Sequence, residues 1–294
     1  MKLLRENEDQ YMKIPVTVII STKNEEANIN KCVSSCVEYD EVIVVDSNSK
    51  DSTVEIARSL GVQIVNFTWN GLYPKKRQWI IDNVQVKNNW ILFLDADEEV
   101  SSPFNADVIE FLRMGKGKYV ASRVQIQYFF MHRELKHGQR VKKIVLMKKG
   151  YCSYPPLNDL ASAGMGEIEG HYQPLIDGKV FDLASPIIHS DTESIDSWMR
   201  RHIKYAEWES LVKGDKNLRR EVGLLKDLFP RIFLKLPFRS FFIFIYSYLF
   251  KFGFLDGRNG FDYAFSKAWY YWLASAIIRE KKYSQVLKKT GDPR

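Results

Sequence analysis

The sequence predicts an α/β fold, a sheet wound with helices on both faces, followed by a helical, aromatic-rich C-terminal region. Three observations carry this expectation. Apolar, largely β-branched runs recur at Val16-Thr-Val-Ile-Ile20, Glu41-Val-Ile-Val-Val45 and Trp90-Ile-Leu-Phe-Leu94, and such short runs without a polar stripe read as strands buried on both sides. Stretches patterned for helices separate them, the alternation that builds a parallel doubly wound sheet. Each strand then ends in a polar loop that bears a carboxylate: Asn24-Glu25, Asp46 and Asp95-Ala-Asp97. Parallel strands bring these loops to one sheet edge, where open α/β folds bind ligands.

The elements follow in order. The loop Ser21-Thr-Lys-Asn-Glu-Glu26 caps a helix that begins near Asn28. Asp46-Ser-Asn-Ser-Lys-Asp51-Ser caps another over Thr53 to Leu60, which Gly61 stops, and Gln63 to Phe67 reads as a third strand. Pro74 suits the first turn of a helix that runs to about Val84. The strand from Trp90 follows, with Asp95 and Asp97 two residues apart at its end. Oxygen ligands at that spacing suit a hard divalent cation, which neutralises a diphosphate; the alternative is a solvated acidic turn. Glu98 and Glu99 beyond them are expected to be solvated charges.

No Gly-x-Gly-x-x-Gly follows the first strand and no Gly-Lys-Ser/Thr loop is present, which argues against a glycine-cradled nucleotide. A phosphate at this edge would rely on a metal and on Lys23, Lys75, Lys76 or Arg77, each otherwise a surface charge. Beyond Lys118, Tyr119 to Tyr128 and Lys143 to Met147 read as strands, with a basic stretch between them. Met165-Gly-Glu167-Ile-Glu169-Gly-His-Tyr-Gln reads as a loop at a site. Its two glutamates alternate in an extended chain, so one of them faces a substrate and suits the work of a general base. Ile187-Ile-His189-Ser-Asp191 ends another short apolar run, with His189 as a metal ligand or as a neighbour of a helix cap.

The net charge of +7 is unevenly spread. Residues 195–294 hold 20 Lys+Arg against 10 Asp+Glu, and the first 194 hold 23 against 26. A near-neutral body with a basic, aromatic extension points to a membrane surface or a phosphorylated partner. No nucleic-acid-binding module is visible. Cys32, Cys36 and Cys152 lack disulfide-framework or metal-site spacing; Cys32 and Cys36, four apart, are expected to be buried apolar residues on one helix face. Met1 to Lys13 is charged and lacks an apolar signal core, which points to the cytoplasm.

Asp196 to Lys213 has helical spacing. After a polar linker around Gly214 to Arg220, a segment from Leu228 to Phe252 is crowded with aromatics. Its longest uncharged run, Ser240 to Phe250, has 11 residues, against about 20 needed to span a bilayer. Flanked by Arg239 and Lys251, it suits an element lying in the membrane interface, or else a buried helix or a dimer seam.

The motifs taken together resemble the family 2 glycosyltransferases, in the branch that builds bacterial lipopolysaccharide core, capsule and O-antigen. The matching stretches are Ser21 to Ile29, Asp40 to Thr53, Trp69-Asn-Gly with Lys75-Lys-Arg, and Trp90 to Glu98. Glu167 to Gln173, Ile188 to Asp191, Arg201 to Trp208 and Gly253 to Gly257 are further points of similarity. The family more usually has glycine near Asn48 and Lys50 and glutamine near Lys75, and its usual base motif is not cleanly reproduced.

The resemblance implies a GT-A fold, with a mixed nucleotide-sugar-binding sheet, and inverting sugar transfer from a nucleotide-diphosphate sugar. It implies that Thr22, Asn24, Glu25, Asp46, Ser47, Lys75, Lys76 and Asp95 bind the nucleotide sugar. Asp95, Asp97 and His189 would hold Mg²⁺ or Mn²⁺, and Glu167 or Glu169 would be the base. The expected acceptor is a lipid-linked or core oligosaccharide; the alternatives are transfer onto polyprenyl phosphate and a non-catalytic sugar-nucleotide-binding scaffold. The expected organisation is a catalytic domain over 14–194, with halves of 14–115 and 116–194, and a helical membrane-associating extension over 195–294. The expected location is the inner face of the cytoplasmic membrane, as a peripheral protein, with an oligomer allowed.

Overall fold

The computed structural model describes residues 13–114, 117–138, 141–156, 159–160, 166–169, 173–189, 194–214 and 239–290. The expected linker around Gly214 to Arg220, the start of the aromatic segment at Leu228, and Arg140, His171 and Asp191 lie outside the described residues.

Four parallel strands form the first half of the sheet, in the order β3 (Gln63–Asn66), β2 (Tyr39–Asp46), β1 (Ile14–Thr22) and β4 (Trp90–Asp95). Alternation along these strands divides the core in two. Val16, Val18, Ile20, Leu92 and Leu94 pack toward α1 (Ile29–Ser35) and α4 (Ser102–Met114). Ile19, Ile43, Val45, Ile91 and Phe93 pack on the other face, where Ile80 of α3 (Lys76–Asn83) covers them. The helix α2 (Thr53–Ser59) follows β2, and Gly61 ends it at φ +74°, the left-handed turn that glycine enters without strain. Cys32 and Cys36 are buried, as expected, on the face of α1 that meets the sheet.

The second half makes the sheet mixed. β8 (Lys142–Lys148) runs antiparallel to β4 and to β6 (Ala121–Phe130). The short β5 (Glu98–Glu99), β7 (Arg133–Leu135), β9 (Cys152–Ser153), β10 (Leu175–Ile176), β11 (Val180–Asp182) and β12 (Ile187–His189) complete the set. β12 lies parallel to β6, and β5 pairs antiparallel with β12.

Two elements differ from the sequence reading, while the helical, aromatic-rich C-terminal region is present as expected. The third helix starts at Lys76 rather than at Pro74, because Lys75 is extended and the Tyr73–Pro74 bond is cis. The helix α4 was not anticipated, although Phe104, Val108 and Phe111 share its buried face. The C-terminal region is dominated by α7 (Gly257–Thr290), which packs against α5 (Ile195–Gly214) and α6 (Arg239–Ile245). Glu209 of α5 accepts from Arg239 at 3.0 Å and from Tyr270 at 2.6 Å, which locks the three helices together. The first turn of α7 meets the turn Gly253–Asp256 so closely that a Cβ on Gly260 would stand 1.9 Å from the Gly253 carbonyl oxygen. α5 also reaches back to the sheet body: Trp198 packs on Phe130, and Trp208 is buried beside Tyr154.

Candidate active site at the carboxyl edge of the sheet

Register puts the three predicted loops level with one another. Thr22 of β1 pairs with Asp46 of β2, and Ser21 pairs with Asp95 of β4. The first two loops are laced together. The backbone N–H of Asn24 donates to Ser49 Oγ at 2.8 Å, and the N–H of Lys50 donates to Asn24 Oδ1 at 2.8 Å. The Glu25 N–H donates to Thr53 Oγ1 at 2.7 Å, while its own carboxylate accepts from Asn28 Nδ2 at 2.8 Å. Asp46 is buried and accepts both the N–H and the hydroxyl of Ser49. Asn24 and Asn48 hold φ near +55° and +57°, a region that asparagine tolerates better than most residues. A glycine near Asn48 is the family's usual choice, and the backbone shape there asks for such a residue.

Asp95 and Asp97 have different surroundings. Arg77 Nη2 reaches both oxygens of Asp95, at 2.9 and 3.2 Å, and Lys143 Nζ lies 2.6 Å from Oδ2. Burial opposes ionisation of Asp95, but Lys143 and Arg77 outweigh it and hold this carboxyl well below the usual carboxylate range. Asp97 instead faces His189, with Oδ1 and Nδ1 3.5 Å apart. Among the described residues Asp97 Oδ1 is buried without a hydrogen-bond partner, and buried acceptors in folded proteins are rarely left so. The hydroxyls of Ser21, Thr22 and Ser47 are in the same position.

These observations fit a divalent cation held by Asp97 and His189 rather than by Asp95, whose oxygens are already engaged by two cations. Among the described residues no group of three His, Cys, Asp or Glu side chains forms a protein-only cage. A cation that is completed by phosphate oxygens needs only one or two protein ligands. The expectation that Glu98 is a solvated charge is overturned. It is buried, accepts the Asp95 N–H at 2.9 Å and is held by Lys143 at 3.0 Å, because the turn after β4 folds straight into β5.

The two glutamates separate as alternation demands. Glu169 is buried against the first turn of α3, where its oxygens accept the N–H groups of Arg77 and Gln78, both at 2.9 Å. Burial raises its pKa, and these hydrogen bonds work against the shift. Glu167 points elsewhere: its carboxylate keeps 15% exposure and lies 3.8 Å from Lys23 Nζ. Its carbonyl accepts the Lys76 N–H at 3.0 Å, so the loop is docked on α3 by backbone and side chain alike.

The three basic residues at the start of α3, of which Lys75 and Lys76 are expected at the nucleotide sugar, part company. Lys76 Nζ is buried and donates to the Thr22 carbonyl at 2.9 Å; burial pulls its pKa down to about 8, while Glu167, Asp46 and Asp95 pull it up. Lys75 does not meet the others. It turns inward to a buried ion pair with Asp159 at 2.8 Å and donates to the Ile168 carbonyl. Sequence reasoning missed Asp159 and the role of Lys143; only the pleat of β8 carries a signal for the latter.

Comparison with known proteins points to one family. A family model described as glycosyl transferase family 2 matches residues 17–160. A Rickettsia bellii protein named an uncharacterized glycosyltransferase is 41% identical over 121 residues, 40% of this chain and 39% of that one. A Rickettsia felis protein of the same name is 31% identical over 212 residues, covering 69% of this chain and 72% of the relative. The Rhizobium meliloti lipopolysaccharide core biosynthesis glycosyltransferase LpsC is 25% identical over 180 residues, 56% of this chain and 65% of its own. With its strand-end loops, its Asp-x-Asp turn and a relative matched over most of its length, the chain belongs to glycosyl transferase family 2.

Proposed function

We propose that the protein transfers a sugar, with inversion, from a nucleotide-diphosphate sugar to a lipid-linked or core oligosaccharide in envelope polysaccharide synthesis. The observation that carries the reading is the Asp97–His189 pair beside the cationic first turn of α3. The envelope role is supported by the likeness to LpsC and by the basic, aromatic C-terminal region, which suits a peripheral place on the cytoplasmic face of a membrane.

Each residue then has a task. Glu25 and Asp46 shape the wall where the nucleoside sits, and Thr22, Asn24 and Ser47 offer hydroxyl and amide groups there. Asp97 and His189 would hold Mg²⁺ or Mn²⁺, which stabilises the charge developing on the departing diphosphate. Lys76 adds positive charge next to it. Asp95 fixes Arg77 and Lys143 in place. Glu167, with its accessible carboxylate, takes the proton from the acceptor hydroxyl as that oxygen attacks the anomeric carbon. Glu169 holds the loop that presents it.

Asp97→Asn tests the reading. It is expected to keep the melting temperature of the parent and to lose metal-dependent hydrolysis of nucleotide sugars. A variant that turns over at the parental rate would refute the assignment.

A further inference from the structure

A second cavity lies between the sheet body and the C-terminal helices. It measures about 600 Å³ and opens between the tip formed by Lys136, His137 and Gly138, which follows β7, and the wide π-type turn Tyr246–Phe250 that follows α6. Lys136, Lys142 and Lys251 supply its charge, and Tyr246, Phe250 and Phe252 its apolar wall. The tip is fastened rather than loose. Gly138, at φ +81°, donates its N–H to the Lys251 carbonyl at 2.8 Å, and the Lys136 and His137 N–H groups donate to Asp256 at 3.2 and 2.9 Å.

The nearby acids are already engaged. Asp256 also takes His137 Nδ1 at 3.0 Å, and Asp182 is held at 2.8 and 3.0 Å by Arg123, with Lys142 3.4 Å away. Among the described residues the lining itself holds three lysines and no Asp or Glu. Beside it the rings form one continuous surface, in which Phe252 meets Phe254, Phe254 meets Tyr248, Tyr248 meets Phe261, and Phe261 meets Phe265. Phe250, Phe252 and Phe265 are each more than half exposed. A cavity lined by three lysines that borders an exposed aromatic face matches an anion joined to a hydrocarbon chain. Lysines attract anionic headgroups, and rings favour the interfacial layer.

We propose that this cavity binds the phosphate headgroup of an anionic membrane lipid, with the lipid chains against the Phe250–Phe265 surface. The proposal deepens the membrane association suggested above and rests on it, but it is independent of the donor chemistry. The experiment is co-sedimentation of the full chain with phosphatidylcholine vesicles, with and without phosphatidic acid. The parent is expected to bind the phosphatidic acid vesicles and to bind the neutral ones weakly. Lys136→Gln with Lys251→Gln is expected to lower affinity for the former about thirtyfold, at about 1 kcal/mol per lysine charge near the surface.

Phe250→Ser, at an exposed position where folding is not at stake, is expected to weaken binding to both vesicle types. Nucleotide binding at the carboxyl edge, measured by thermal shift, serves as the control for folding and is expected to be unchanged in each variant. Equal binding to both vesicle types, unaffected by the lysine changes, would overturn the headgroup site and leave membrane association standing. Binding to neither would overturn both. Saturable binding of inorganic phosphate without vesicle binding would assign the cavity to a water-borne anion and also overturn the proposal.

Discussion

Arg77 grips both oxygens of Asp95, and so the first turn of α3 is fastened to the end of the central strand. Lys143 approaches the same carboxylate from β8. The first acid of the Asp-x-Asp pair thus organises cations, and the second is left facing His189.

Replacing Arg77 by Met is expected to cost about 1–2 kcal/mol. That is below the range for a fully buried pair, because 40% of the Asp95 side chain is exposed and water screens the interaction. Stability from the depressed Asp95 carboxyl is present above the ordinary carboxylate range and is lost as pH falls through the lowered value. In the variant the pH window should narrow from its acid end and the pH-dependent loss should shrink, because the folded carboxyl returns toward its ordinary value. Urea unfolding across the acid range checks both statements.

The two loop glutamates should part company. Glu167→Gln is expected to lower the transfer rate about 10²–10⁴-fold, the usual contribution of a general base, with an unchanged melting temperature. Glu169→Gln turns an amide NH₂ toward the N–H groups of Arg77 or Gln78 and should cost about 1–2 kcal/mol of stability. If Glu167→Gln transfers sugar normally and Glu169→Gln is dead but fully stable, the roles are reversed.

Lys76 makes a prediction in pH. Burial lowers its pKa to about 8 from 10.5. Between those values the unfolded chain keeps a proton that the folded chain has released, so stability from this residue rises with pH across the window. Affinity for a nucleoside diphosphate should move the other way, falling as pH passes 8 and Lys76 becomes neutral. Lys76→Met is expected to flatten both profiles, which calorimetric titration on either side of pH 8 would show.

The buried Lys75–Asp159 pair predicts a large single effect and a small double one. Among the described residues, Lys75→Met leaves the buried Asp159 carboxylate with the Trp208 indole N–H at 2.9 Å and no countercharge, a cost of about 3–5 kcal/mol. Changing Asp159 to Leu as well should recover most of it. Chemical denaturation of Lys75→Met, Asp159→Leu and the double variant checks this, and additive losses would show that the coupling is absent.

Much of this was legible in the sequence. Val16 to Ile20, Glu41 to Val45 and Trp90 to Leu94 became adjacent parallel strands because their apolar runs allow no exposed face. Convergence of Asn24, Asp46 and Asp97 followed from parallel pairing alone. Side-chain partners across the sheet did not follow. Lys143 and Asp95 meet because β8 inserts antiparallel beside β4, and no local pattern states that neighbour. Lys75, Lys76 and Arg77 are consecutive, yet the N-terminal turn of α3 sends them to Asp159, Thr22 and Asp95 respectively. Spacing in sequence could not sort them.

The pairing of β5 with β12 has a geometric consequence. β5 begins three residues after β4 ends, yet its hydrogen bonds run to β12, which is joined through β6 and β8 back to β4. Strand contacts and the Asp95–Asp97 turn therefore form a closed circuit, and Lys143, Asp95 and Glu98 plug its middle with mutual ion pairs. Slipping any one strand by a residue would break the circuit and pull Asp97 away from His189. The spacing of those two side chains is thus fixed by the backbone ring around them, as a hoop fixes the staves that meet inside it.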